Sequence, residues 1–279
     1  MTLRFHTIVL PVRPQPDTLV AIFLLKQFGG EKYPGIETAK VEINSSIGKE
    51  PTEALLARGI MPLDVGGGNL DHHAAQGKTT ASQLVADDIG ITTLPSIQKL
   101  LQYAERDDKY GKGTISTDPL DRLFGFSGLV AAINKHMPHD PQRAADIFLP
   151  IIHALYRGEE QRTEGLPAEY ADLKQRGMVD EFVVKNGDKK LKVVVLTSAN
   201  PSFAGWLRSG EGPKADVVAQ YLPSGHLNIL TRSAKKIDLR GHAVLLRTRE
   251  ADLRGYRLDA DAYYLSRTGK FHEIPEWNY

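Results

Sequence analysis

Between residues 5 and 65 the chain alternates short β-branched runs with helix-like stretches, and this alternation constrains the fold more than any other feature. Residues 5–12 (FHTIVLPV) form a continuous apolar run of the kind expected for a strand buried on both faces. Pro14 and Pro16 cannot continue such a strand, and Asp17 stands where a helix N-cap would be. Apolar residues then dominate 18–28, predicting a helix buried on most sides and ended by Gly29-Gly30. A second strand over 39–43, a helix over 53–58 and a third strand over 61–65 follow. Strand, helix, strand, helix, strand predicts a parallel sheet with crossover connections. Asp17 and Asp64 would then stand at strand carboxyl ends, where open α/β sheets carry their chemistry.

Residues 80–89 and 94–103 read as helices, the second with Leu94, Ile97, Leu100 and Leu101 as a core stripe. Helical patterning continues through 120–136, 141–156 and 167–178. Lys185-Asn186-Gly187-Asp188 predicts a hairpin turn between VDEFVV and LKVVVL, because Asn-Gly adopts positive φ at low cost. Strands over 216–222 and 226–230 and a helix over 239–253 complete a second lobe. The expected class is α/β: a parallel-sheet N-terminal domain with a helical linker over 1–180, then a smaller α+β domain over 181–279.

Composition narrows the function classes. The 279 residues are 41% apolar and 25% charged, as in an ordinary globular protein. No apolar run approaches the roughly 20 residues that span a bilayer. The opening MTLRFHTIVLPVRPQPD lacks the long apolar stretch and cleavage site of a signal peptide. Cysteine is absent, which excludes disulfides, thiolate metal sites, iron–sulfur clusters and cysteine nucleophiles. A cytoplasmic protein with no membrane partner is expected. The net charge of +1 predicts no polyanion binding as a whole. It divides unevenly, however, with 15 basic against 10 acidic residues from Gly187 onward and 20 against 24 before it. An acidic front and a basic back suit a cation site facing a surface that holds an anion.

The densest polar cluster is Leu63-Asp64-Val65-Gly66-Gly67-Gly68-Asn69-Leu70-Asp71-His72-His73. Gly66, Gly67 and Gly68 permit a tight turn and close backbone approach, a structural role in which Asp71 is expected to share. Carboxylate oxygen with imidazole nitrogen suits Mn²⁺ or Mg²⁺ where carboxylates dominate. In an extended segment His72 and His73 point opposite ways, leaving one for a metal and the other for substrate. Arg106-Asp107-Asp108-Lys109 adds a second carboxylate pair, which taken alone reads as a solvated helix end. Gly77-Lys78-Thr79 fails as a phosphate loop because the required first glycine falls on His72. G-x-S-x-G, H-E-x-x-H and G-x-G-x-x-G motifs are absent. His6, His136, His139, His153, His242 and His272 are scattered and read as core or surface histidines. Lys235, Lys236, Arg240, Arg247 and Arg249 lack interleaved aromatics on which bases could stack.

Asp71-His72-His73 after a third strand resembles the signature of the DHH phosphoesterase superfamily, and LDVGGGNLDHH is most similar to its Myg-type branch of metal-dependent hydrolases or exonucleases. The opening PDTLVAIFLLKQFG also resembles that branch's first motif. The similarity covers roughly residues 5–110; beyond them only the layout of helical linker and small C-terminal lobe is shared. The resemblance implies that Asp64 bridges metal ions, that His72 binds the second, and that His73 contacts the substrate phosphate as a catalytic residue. It implies metal-ligand roles for Asp17 and for Asp107 or Asp108, and a substrate grip for Ser224, Gly225 and His226. Its chemistry is in-line attack by a metal-activated hydroxide.

This chain departs from the family at the first motif. The histidine place is Arg13 under the superfamily alignment, with Leu19 in place of a carboxylate, or Gln15 under the Myg-type one, with Thr18 at the next acidic place. Either way an imidazole is missing, and Arg13 becomes a candidate catalytic phosphate clamp. The resemblance implies one or two Mn²⁺ or Mg²⁺ ions, and the departures at the first motif favour one well-held ion over two. The resemblance also implies a nucleotide, a short nucleic acid or another phosphate ester as substrate; a homodimer stands as a candidate assembly. The expected function is phosphoester hydrolysis; the alternative is a binding or regulatory module that has lost turnover.

Overall fold

A computed structural model describes residues 3–73, 79–111 and 116–255. Gly77 and Lys78 of the rejected phosphate loop, and His272, lie outside them. The contacts divide the chain into two compact units, Met1–Glu164 and Gly165–Tyr279.

The first unit is built on three parallel strands in the order β2-β1-β3. Strand β1 (Thr7–Leu10) is central and buried throughout, which explains its unbroken apolar run TIVL. Ile8 pairs with Val41 of β2 (Lys40–Ile43) and with Met61 of β3 (Ile60–Pro62). Helix α1 (Pro16–Phe28) buries Pro16 through Leu25 without a break, and its last-turn carbonyl at Leu25 receives the Gly29 N–H at 2.8 Å. Its N-cap is Gln15, not Asp17; the Gln15 N–H donates to Thr18 Oγ1 (2.6 Å). Pro at N1 favours this start. Helix α2 (Thr52–Ala57) connects β2 to β3. Strand β3 stops at Pro62 instead of reaching residue 65, because Asp64 turns into a left-handed conformation (φ 61°) and leaves the ladder.

Helices cover the rest of this unit. Thr80 caps α3 (Ala81–Asp88) by accepting the Gln83 N–H. Helix α4 (Gln98–Tyr110) runs two turns beyond the expected 103, so Asp107 and Asp108 lie within it. The helix expected over 120–136 is broken into α5 (Pro119–Phe124) and α6 (Phe126–His136) at Gly125, which is extended (φ −69°, ψ 158°). Helix α7 (Pro141–Glu160) closes the unit. Leu10, Leu19, Ile22, Leu25, Met61 and Phe148 belong to one fully buried core.

In the second unit, α8 (Leu166–Gln175) precedes β4 (Val179–Asn186), β5 (Lys189–Thr197), α9 (Phe203–Arg208), β6 (Val217–Tyr221), β7 (Leu227–Thr231) and α10 (Arg240–Arg254). The sheet order is β4-β5-β6-β7, with β5 and β6 parallel through α9 and the other pairs antiparallel. Leu166, Tyr170 and Leu173 of α8 pack in a core with Val194, Leu196, Phe203 and Trp206. The division therefore falls before α8, whereas the expected boundary at 180/181 cuts strand β4. The hairpin between β4 and β5 is present, but Asn186 pairs with Lys189, so its centre is Gly187-Asp188, one residue later than expected. Gly187 supplies the positive φ (60°). Among the described residues no helix is long and apolar enough to cross a membrane.

Candidate metal centre

The parallel sheet delivers the site at its carboxyl edge. Two residues past β3, the Asp64 N–H donates to the Leu70 carbonyl (3.0 Å) and closes a glycine loop. Gly66 and Gly67 have φ of 84° and 66°, which L side chains rarely adopt. Gly68 answers a different need: a Cβ there would lie 2.8 Å from Thr52 Oγ1. Asp71 fastens the loop, its Oδ2 accepting the Gly67 N–H (2.8 Å) and its Oδ1 the His73 N–H (3.0 Å). Burial alone would raise the Asp71 carboxyl, but those two N–H groups and the His73 ring hold it below its usual value. In return the bonded Asp71 carboxylate, 2.9 Å from Nδ1, raises the His73 imidazole.

His72 and His73 do not diverge. The backbone turns at His73, and the two rings stack with centroids 4.6 Å apart and planes inclined by 18°. Asp64 Oδ1 lies 2.8 Å from His72 Nδ1 and 3.3 Å from His73 Nδ1. Among the described residues, Asp64, His72 and His73 each bring a ligand atom to within 4.8 Å of the others. Asp64 is only 8% exposed. Its Oδ1 and the His72 Nδ1 are buried and touching, yet they are not aligned as a hydrogen bond and neither makes one elsewhere. A buried carboxylate oxygen 2.8 Å from an imidazole nitrogen needs positive charge at that contact, from a proton on the ring or from a bound cation. Burial pushes the Asp64 carboxyl up to about 6; His72 and His73 oppose the rise, and the charges of Asp17 and Asp71 add to it.

Beside this pair opens a cleft of about 350 Å³ lined by Gln15, Asp17, Asp107, Asp108 and Gly111. Asp108 Oδ2 approaches His72 Nε2 at 3.8 Å. Asp107 is held differently: its Oδ1 accepts the hydroxyl of Ser127 at the start of α6, whose N–H donates to the Tyr103 hydroxyl (3.2 Å). Sequence reasoning missed Ser127 and Tyr103. Tyr103 sits one helical turn before Asp107, but only the break at Gly125 brings Ser127 to it.

Asp17 lines the cleft from the first turn of α1, yet its carboxylate is engaged. Its Oδ2 accepts the Ala81 N–H (2.8 Å) and its Oδ1 the Ser82 N–H (3.0 Å), anchoring the start of α3. Burial raises this carboxyl, the Ser82 and Ala81 bonds oppose the rise, and Asp108 adds to it. Arg13, expected as a clamp, is exposed and instead donates from Nη1 to the Asn134 carbonyl on α6 (3.4 Å). Gln15 is the residue that faces the cleft at this position. Ser224, Gly225 and His226 form the β6–β7 turn, where the Leu222 N–H meets the His226 carbonyl (2.9 Å) and Ser224 Oγ lies 3.1 Å from His226 Nδ1.

No family model matches this chain, and neither a curated protein nor a solved structure matches it.

Proposed function

We propose that this protein is a metal-dependent phosphohydrolase of the DHH type, nearest the Myg-type branch, acting on a nucleotide or short oligonucleotide phosphoester. The single observation that carries the reading is the buried contact of Asp64 Oδ1 with His72 Nδ1, unrelieved by any hydrogen bond. The donor set fits a divalent ion such as Mn²⁺ or Mg²⁺, because a carboxylate oxygen converges with imidazole nitrogen and further carboxylates line the cleft beside them. The imidazole favours Mn²⁺ of the two. Asp64 and His72 would hold the ion, with Asp108 within reach of the same ring.

Once bound, the ion supplies a lowered water pKa and neutralises phosphate charge. The chain's own residues do the rest. Asp71 fixes the orientation of His73, whose side chain is 65% exposed and available to a substrate oxygen. Ser127 and Tyr103 fix Asp107, so that the end of α4 presents Asp108 in a constant position. The glycine loop lets backbone approach a phosphate without a side chain in the way.

The test is hydrolysis of short RNA, short DNA and cyclic dinucleotides with added Mn²⁺, comparing wild type with Asp64→Asn and His72→Ala. The expected result is turnover in the wild type, lost in both variants. Turnover that survives both substitutions removes the site assignment. The second reading, a binding module without turnover, is favoured by the Gln15 amide in the histidine place; it is recognised by tight nucleotide binding with no product.

A further inference from the structure

We infer that the site holds one divalent ion, at Asp64 and His72 Nδ1 beside the cleft, and that the Gln15–Asp17 wall of the cleft does not hold a second. This rests on the metal-dependent reading above and narrows it. The two places differ in what their polar atoms are free to do. On one side Asp64, 8% exposed, has an Oδ1 with no hydrogen bond, and His72 Nδ1 is in the same condition. Neither atom is committed to an aligned hydrogen bond, which leaves both open to a cation. On the other side Asp17, 3% exposed, has each oxygen on a backbone N–H of α3, at 2.8 and 3.0 Å.

Pulling Asp17 onto an ion would strip acceptors from two buried N–H groups, each costing a desolvation penalty. Gln15 offers an amide, neutral and weakly coordinating, where a second ion would need an imidazole or carboxylate. Arg13, the other candidate for that place, is a cation with no acceptor atom and reaches the Asn134 carbonyl. Among the described residues, the ligand atoms that converge are those of Asp64, His72 and His73, and Asp17 does not join them. The consequence for chemistry is specific. Clamping both the attacking and the leaving oxygen between paired ions is excluded, and the leaving side of the substrate must be met by His73 or by groups of the chain.

Calorimetric titration of Mn²⁺ into the metal-stripped full chain, with electron paramagnetic resonance of the loaded protein, tests this. The expected result is one ion per chain with an uncoupled manganese spectrum. Gln15→Ala should leave stoichiometry unchanged and affinity within about threefold. Asp17→Asn should keep one ion while losing thermal stability. Two ions per chain, a spin-coupled spectrum, or loss of the ion in Gln15→Ala overturns the inference. So does loss of the ion in an Asp17→Asn protein that remains folded. Two ions with turnover would overturn this inference and leave the hydrolase reading intact; no ion in the wild type would overturn both.

Discussion

Asp64 in the first unit and Asp216 in the second pose the same electrostatic problem and receive opposite answers. Both are buried, at 8% and 5% exposure, and both have an Oδ1 without a hydrogen bond. Around Asp216 the compensation is built in. Its Oδ2 accepts the Lys192 N–H (2.9 Å), and Arg232 Nη1 and Lys235 Nζ approach Oδ1 at 3.7 and 3.5 Å. Around Asp64 stand two imidazoles and further carboxylates, among them Asp71 and Asp17. An orphaned carboxylate oxygen therefore does not by itself indicate a metal. The charge of its neighbours decides: among the described residues, lysine and arginine approach Asp216, whereas imidazoles approach Asp64.

The comparison breaks first at Asp64. Asp64→Asn should weaken Mn²⁺ binding by at least about 100-fold, above the roughly 10–100-fold that outer partners of a ligand cost. A dissociation constant within about tenfold of wild type by calorimetry would remove the contrast. Asp17→Ala should cost about 2.5 kcal/mol in denaturant unfolding, because two buried N–H groups of α3 lose their acceptor.

The pH dependence follows from Asp64 and His73. Asp64 rises in the fold from 3.8 to about 6, so between those values the native state holds more protons than the unfolded chain. Stability of the metal-free protein should therefore fall as pH rises through that window, by about 2 kcal/mol after allowance for solvent screening. The raised His73 imidazole adds loss in the same direction as pH climbs past its folded value. Saturating Mn²⁺ should abolish the slope, since the ion replaces the proton. Melting curves at pH 4.5 to 7.5 with and without the ion check this; a metal-free protein stabilised by rising pH would contradict it. The smallest effect is expected at Asp216→Ala, about 1.5 kcal/mol of stability from the orphaned Lys192 N–H, with Mn²⁺ affinity unchanged.

Much of the first unit was legible because its signals are local. The buried run 7–10, the prolines after it and the apolar stretch that follows specify strand, break and helix within a few residues each. The break at Gly125 was not legible, since a single glycine in a helical pattern is tolerated as often as it interrupts. Nor was the register of the β4–β5 hairpin, where Asn-Gly and Gly-Asp both suit a two-residue turn. Asp17 was expected as an N-cap and as a metal ligand; it lines the cleft, but its partners Ala81 and Ser82 lie far along the chain and no local pattern announces them. The divergence expected of His72 and His73 assumed an extended backbone, which the Asp71 bond to the His73 N–H does not allow.

The amino-acid sequence alone determined the alternating α/β order of the first unit, the glycine loop and the presence of Asp64, Asp71, His72 and His73 within ten residues. Periodicity, proline, glycine and local spacing act over distances the chain itself sets. Tertiary structure alone decided which oxygens are satisfied. It tied Asp17 to α3, Asp107 to Ser127 and Arg13 to Asn134, and it left Asp64 facing His72 without an aligned hydrogen bond. Hydrogen-bond satisfaction depends on which distant groups arrive within about 3 Å, and no local pattern encodes that.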